Sequence, residues 1–250
     1  MENKAVRLDK YLAHAGMGTR SEVKKLIRSG RVLLNGVLAK KAEEKVSDSS
    51  VVIVDGAEIS LEEYQYYMLN KPAGVVSATQ DPMDRTVVDL ITCLHHKELF
   101  PVGRLDKDTE GLLLLTDNGA LAHQLLSPAR HVSKTYLVYA EGELTKEDAL
   151  LLENGMDIGD KMPTRPAKTA NISYHEMSGK EGKSMQTRLE LTITEGRYHQ
   201  IKRMFAKIGK PVQYLKRLSM GSLELDASLS PGEFRRLTEE EINSILNYLA

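Results

Sequence analysis

The chain has 250 residues, with 34 Lys and Arg against 35 Asp and Glu, a formal net charge of −1, 41% hydrophobic and 28% charged residues. This composition suits a chain with a packed core and excludes disorder and collagen-like repeats, and the near-neutral total argues against a nucleic-acid partner until charge is read segment by segment. Cys93 is the sole cysteine, which excludes an intrachain disulfide and a cysteine metal cluster and suits a reducing cytoplasm.

The first ten residues hold Glu2, Lys4, Arg7, Asp9 and Lys10, so no secretory leader is expected. Leu8, Tyr11, Leu12 and Ala15 recur at helical spacing before Gly16, predicting a short helix. Thr19 with Glu22 reads as a capping box that opens a second helix over Val23, Leu26 and Ile27, ending at Ser29-Gly30. Asn35-Gly36 then predicts a type I′ hairpin, and the strand Val51 to Val54 with Asp55-Gly56 completes a unit near residue 59. Residues 57 to 64 are mixed and acidic, a plausible linker. We therefore expect a domain over 1–59, a linker over 60–64 and a second domain over 65–250. In the latter, Tyr66 to Leu69, Thr135 to Ala140 and Thr187 to Thr194 pattern as strands, and Gln200 to Ile208 and Glu239 to Leu249 as helices. Residues 171 to 186 read as a loop or hairpin tip. The apolar runs Val51 to Val54 and Leu112 to Leu115 fall far short of the roughly 20 residues a membrane helix needs, so no membrane partner is expected.

Charge is unevenly placed. The first 42 residues carry ten Lys and Arg against Glu2, Asp9 and Glu22, and Gly196 to Arg217 carries seven cations and no acid. Each segment is thus +7, and the remainder is −15. The first places Arg7, Lys10, Arg20, Ser21, Lys24 and Arg28 on or beside two helices, with Arg31 and Asn35 at the following hairpin, as a nucleic-acid grip would need. A solvated basic face is the plainer alternative. The second segment has the same two options, and seven cations without an acid favour the floor of a groove.

The segment from Pro101 to Gly119 gathers Asp106, Asp108, Glu110, Gly111 and Asp117 around four leucines, and three explanations fit it. One is a structural loop with solvated acids, a buried strand and an Asn118-Gly119 turn. Another is a calcium loop, weakened because Glu110 and Asp117 have the wrong side-chain lengths for their slots. The third is a catalytic carboxylate displayed beside Arg104.

Whole blocks of sequence resemble known families. Arg7-Leu8-Asp9-Lys10-Tyr11-Leu12, Thr19-Arg20-Ser21, Ile27-Arg28-Ser29-Gly30-Arg31-Val32 and Asn35-Gly36 resemble the S4 RNA-binding domain over residues 5 to about 55. Gly103-Arg104-Leu105-Asp106, followed by Asp108 to Thr116, resembles the signature of the RluA/RsuA superfamily of pseudouridine synthases. So do Met68 to Gly74, Lys134-Thr135-Tyr136 and Glu195 to Met204. The resemblance implies an α+β fold: a small S4 domain, then a catalytic domain with a mixed, largely antiparallel sheet flanked by helices. It implies isomerisation of a uridine to pseudouridine with no cofactor and no metal. Asp106 takes the catalytic role, either attacking the sugar or removing a proton at C2′. Lys202 is the cation that keeps it ionised, with Arg203 as the fallback. Tyr136 is implied to stack on uracil and help move the C5 proton, with a strand tyrosine packed in the core as the alternative. Arg104, Arg197, His199, Gln200 and Arg203 are implied substrate contacts, with a structural role the alternative for His199. Arg104 in particular would support a flipped base, with a salt bridge to Asp108 or Glu110 as the alternative. The S4 domain, Tyr198-His199 and the tail from Pro231 to Ile242 point to the RsuA-type branch. The implied partner is 16S rRNA in an assembling small subunit, with the chain acting as a monomer. A 23S rRNA enzyme and a non-catalytic assembly factor are the alternatives.

Overall fold

The computed structural model describes residues 5–47, 49–59, 64–92, 99–179 and 182–249. Cys93 and most of the expected linker, residues 60–63, lie outside them. Contacts divide the chain into two units, Met1–Tyr64 and Gln65–Ala250.

In the first unit β1 (Val6–Arg7) leads directly into α1 (Leu8–His14), and Gly16 follows the helix at φ 80°. In α2 (Arg20–Arg28), Thr19 Oγ1 accepts from the Glu22 amide at 3.3 Å while Glu22 Oε2 accepts from the Thr19 amide at 2.7 Å, the expected capping box. Then come β2 (Val32–Leu34), β3 (Val37–Leu38), β4 (Lys45–Val46), β5 (Val52–Val54) and β6 (Ala57–Ile59). The sheet order is β3-β2-β5-β6, while β1 pairs β4. Asn35 and Gly36, and again Asp55 and Gly56, adopt the paired positive φ of type I′ turns. Residues 57–59 are therefore a paired strand, not linker, because the Asp55-Gly56 turn folds them back on β5. Leu8, Leu12, Val23, Ile27, Val32, Val52 and Val54 form the core.

The second unit is built on β7 (Tyr66–Lys71), β8 (Phe100–Pro101), β9 (Glu110–Thr116), α3 (Gly119–Leu126), β10 (Lys134–Glu141), α4 (Lys146–Asn154), β11 (Lys168–Gly179) and β12 (Gly182–Ile193). It continues with α5 (Gln200–Lys207), β13 (Val212–Met220), β14 (Leu223–Glu224), β15 (Phe234–Arg236) and α6 (Glu239–Leu249). Among the described residues one mixed sheet runs β11-β12-β10-β13-β9-β7-β15, with β14 on β13 and β8 on β9. Its pairs are antiparallel except β9 with β13. Residues 171 to 179 and 182 to 186 belong to the long β11–β12 ladder; cross-strand pairing there overrides a Ser-, Lys- and Gly-rich composition. Asn118 does not turn the chain back. It caps α3 by accepting from the Leu121 amide at 3.0 Å.

The four leucines of β9 explain their own lack of alternation. Leu113 and Leu115 enter the core shared with β10, β12 and α5, whereas Leu112 and Leu114 enter the core under α3 and α6. A strand covered on both faces has no polar side to show.

Register places Lys71, Gly111, Arg217 and Tyr136 in one row across β7, β9, β13 and β10. At Gly111 (φ 99°) a Cβ would lie 2.2 Å from the Arg217 carbonyl oxygen and 2.7 Å from its nitrogen. Both the backbone angle and the approach of β13 require glycine. Gly111→Ala is accordingly expected to destabilise the second unit by about 3 kcal/mol or more, seen as a lowered urea midpoint in circular dichroism; an unchanged midpoint would show that β13 can yield there.

Candidate active site

The loop between β8 and β9 carries Arg104, Asp106 and Asp108, and its backbone is pinned from two sides. Ser77 Oγ donates to the Leu105 carbonyl at 2.9 Å and accepts from the Leu105 amide at 3.1 Å. Lys71, solvent-inaccessible at the end of β7, donates through Nζ to the carbonyls of Pro72 (3.0 Å), Asp106 (3.0 Å), Lys107 (3.3 Å) and Thr109 (2.8 Å). Backbone carbonyls thus replace the hydration shell of a buried ammonium. Burial pushes the Lys71 ammonium down to about 8, against the pull of Asp108, Asp106 and Glu110.

With its main chain held, Asp106 presents its carboxylate to the first turn of α5. Lys202 Nζ lies 3.2 Å from Oδ2, and His199 Nε2 lies 3.5 Å from Oδ1. Lys202 also donates to Asp108 Oδ1 at 2.6 Å. Burial works against the Lys202 charge, but its bonds to Asp108 and Asp106 prevail and raise its pKa above the ordinary lysine value. The Lys202 hydrogen bond in turn holds Asp108 below the usual carboxylate range, although burial opposes it. The Asp106–Lys202 pairing is the one expected, while the sharing with Asp108 had no sequence signal. Tyr136, 7% exposed, packs in the same core as Leu105, the neighbour of Asp106. Arg104 is exposed and makes no ion pair among the described residues, in contrast to a salt bridge with Asp108 or Glu110.

The remaining implied contacts serve the scaffold. Arg197 donates to the carbonyls of Met162 (2.6 Å) and Pro163 (2.7 Å) and pairs with Glu195 and Asp160. Arg203 donates to the Ile158 and Tyr198 carbonyls and pairs with Asp160 at 2.6 Å. Gln200, 4% exposed, donates to Glu195 and accepts from the Arg197 amide. His199 heads α5 in the left-handed conformation, φ 47° and ψ 33°. Lys210 faces Asp148 at 3.8 Å, and Arg217 is buried, with Nε donating to the Leu112 carbonyl. The second +7 stretch is thus not a floor of seven open cations: acids distant in sequence neutralise four of them.

The acids of the supposed calcium loop do not converge on one point. Asp106 and Asp108 face Lys202, Glu110 accepts from the Tyr214 hydroxyl, and Asp117 accepts from the Gln65 amide. Among the described residues no group of three or more His, Cys, Asp or Glu side chains is placed to hold a metal ion, and no helix is long and apolar enough to cross a membrane.

In the first unit, Arg7 pairs with Asp9 and Glu43, and Arg31 with Asp55. Asn35 secures its turn by accepting from the Val51 amide at 2.8 Å. Lys10, Arg20, Ser21 and Arg28 are exposed and Lys24 half-buried, and none of these four cations has an ion-pair partner among the described residues.

Lys71 makes a prediction with a definite sign. Its native pKa of about 8 lies below the unfolded lysine value of about 10.4, so raising pH through that interval favours folding through this group. The neutral amine, however, has two protons for four carbonyls and holds the loop less firmly. Catalytic rate is expected to fall above about pH 8 while the urea midpoint does not, and a parallel decline of both would contradict this assignment.

Comparison with known proteins agrees with this architecture. The profile for RNA pseudouridylate synthase matches residues 65–207, and that for the S4 domain residues 6–52. A Bacillus subtilis (strain 168) protein named uncharacterized RNA pseudouridine synthase YtzG is 50% identical over 240 residues, covering 95% of this chain and 97% of its own. Ribosomal small subunit pseudouridine synthase A of Escherichia coli (strain K12) is 39% identical over 243 residues, covering 96% and 100%. A crystal structure of a pseudouridylate synthase superposes with a TM-score of 0.66 at 37% identity, covering 96% of this chain and 99% of the other. With Asp106 and Lys202 paired at the head of α5 and the likeness spanning nearly every residue, the chain belongs to the RNA pseudouridylate synthase family and carries an N-terminal S4 domain.

Proposed function

We propose that the chain converts a single uridine of 16S rRNA to pseudouridine, with Asp106 as the catalytic carboxylate. The observation that carries this reading is the Asp106–Lys202 pair at 3.2 Å on a loop whose carbonyls are fixed by Lys71. The reaction breaks the bond from ribose C1′ to uracil N1, turns the base and joins C1′ to C5. Atoms and electrons balance within the nucleotide, so it needs neither oxidant nor co-substrate. Asp106 either attacks C1′ or takes the C2′ proton, and both routes need a carboxylate held in place before the base arrives. Lys202 supplies a compact positive charge without the bidentate geometry of arginine. Tyr136 offers a ring to the uracil and a hydroxyl for the C5 proton.

To reach this site the uridine leaves its stack, and exposed Arg104 contacts the backbone or fills the vacated space. Lys10, Arg20, Lys24 and Arg28 of the first unit neutralise RNA phosphates. We place the enzyme in the cytoplasm, working as a monomer on an assembling small subunit. The small-subunit substrate is supported by the likeness to ribosomal small subunit pseudouridine synthase A.

Asp106→Asn should leave RNA binding intact and abolish pseudouridine formation, measured on a 16S rRNA transcript. A fully active variant would sink the assignment. Deleting the gene and mapping pseudouridine in both large rRNAs tests the substrate: one missing site in 16S rRNA is expected, whereas a missing 23S site would move the activity to the large subunit.

A further inference from the structure

Beyond the reacting uridine, the site displays a second aromatic surface. Tyr198 is 76% exposed, far more than Tyr174 and Tyr248 at 44%. One ring face is covered by the His199 imidazole, with centroids 3.8 Å apart and planes 20° from parallel. His199 is in turn 3.5 Å from the Asp106 carboxylate. The rings therefore form a two-step stack that begins at the catalytic carboxylate and ends in solvent.

This stack is held in place by its backbone. The Tyr198 carbonyl accepts from Arg203 at 3.1 Å, and Arg203 is itself fixed by Asp160 and the Ile158 carbonyl. On the preceding side, the Arg197 amide donates to buried Gln200. On the following side, His199 occupies the left-handed region, uncommon for any residue but glycine and persisting only where the surroundings hold it. A large ring kept rigid and wet beside a reaction centre has little to contribute to folding. Its chemistry matches an unpaired nucleobase, which stacks on an aromatic face whatever its sequence.

We propose that Tyr198 is the stacking platform for the base next to the reacting uridine. On the reading that Asp106 acts on an RNA uridine, flipping that nucleotide disrupts its stack, and the open face of Tyr198 receives the neighbouring base. Tyr198 is a substrate-positioning residue, and His199 backs its ring.

The chain contains no tryptophan, so Tyr198→Trp introduces the sole indole at the proposed contact. The probe is an RNA hairpin spanning the uridine mapped in 16S rRNA, with abasic versions at each flanking nucleotide. Its binding is followed by filter retention and its conversion by pseudouridine detection. The intact hairpin should quench the indole, one abasic hairpin should fail to, and Tyr198→Phe should behave as the parent. Tyr198→Ala should weaken binding of the intact hairpin by about 5- to 150-fold, with little further loss on the abasic hairpin that fails to quench. Unchanged indole emission at saturating RNA would overturn the platform. So would equal quenching by every hairpin, or a loss confined to the rate at saturating RNA and reproduced by His199→Ala. If the parent chain converts the hairpin but Tyr198→Trp shows no quenching, only the platform fails; if the parent binds without converting it, uridine isomerisation fails instead.

Discussion

The loop that carries Asp106 depends on one buried charge. Four carbonyls converge on Lys71 Nζ, and three of them belong to the segment Asp106 to Thr109. An ammonium in a dry site must find acceptors, and the shortest way to provide several is to wrap a loop around it. The electrostatic need of one side chain at the end of β7 thereby fixes the path of a backbone 35 residues away in sequence. Because Lys71 takes the main-chain oxygen of Asp106, the carboxylate remains available to Lys202 and His199. A guanidinium would be a poor substitute, since its planar donors suit paired oxygens rather than a surrounding shell.

The distribution of charge follows the same economy of contacts. Asp160 binds Arg197 and Arg203, while Asp106 and Asp108 bind Lys202. What reads in one dimension as a block of positive charge becomes in three dimensions a set of short ion pairs that brace the loops around α5. Among the described residues the cations of α2 have no such ion-pair partner, which leaves that helix with the more open positive surface.

Much of the local structure was legible because its causes are local. Thr19 and Glu22 make a capping box by their spacing, and Asn35-Gly36 and Asp55-Gly56 turn by their tolerance of positive φ. The family resemblance supplied Asp106 and Lys202 as partners, and they meet. What escaped notice is set by distant parts of the chain. Nothing near Lys71 announces that the Thr109 carbonyl will accept its hydrogen bond, nothing around Ser77 predicts a bond to Leu105, and Gly111 is constrained by a strand more than one hundred residues later. Asp160 looked like any surface acid, yet it holds two arginines implied as substrate contacts. The β11–β12 ladder was obscured in the same way, since pairing rather than composition decides it.

The strands of the large sheet are joined unevenly. β10 meets β12 through eight residue pairs and β7 meets β9 through six, but β9 and β13 are joined by two. The sheet is therefore two well-laced panels sewn along a short seam. Asp106 lies on the loop that leads into β9 and Lys202 on the helix that leads into β13, so their ion pair links the two strands of that seam. The apolar core does not stop at that seam: Leu69, Leu113 and Leu115 pack in one cluster with Val138, Leu191, Ile201, Met204 and Phe205, so side-chain packing rather than the ladder binds the two panels together and sets the spacing between carboxylate and ammonium.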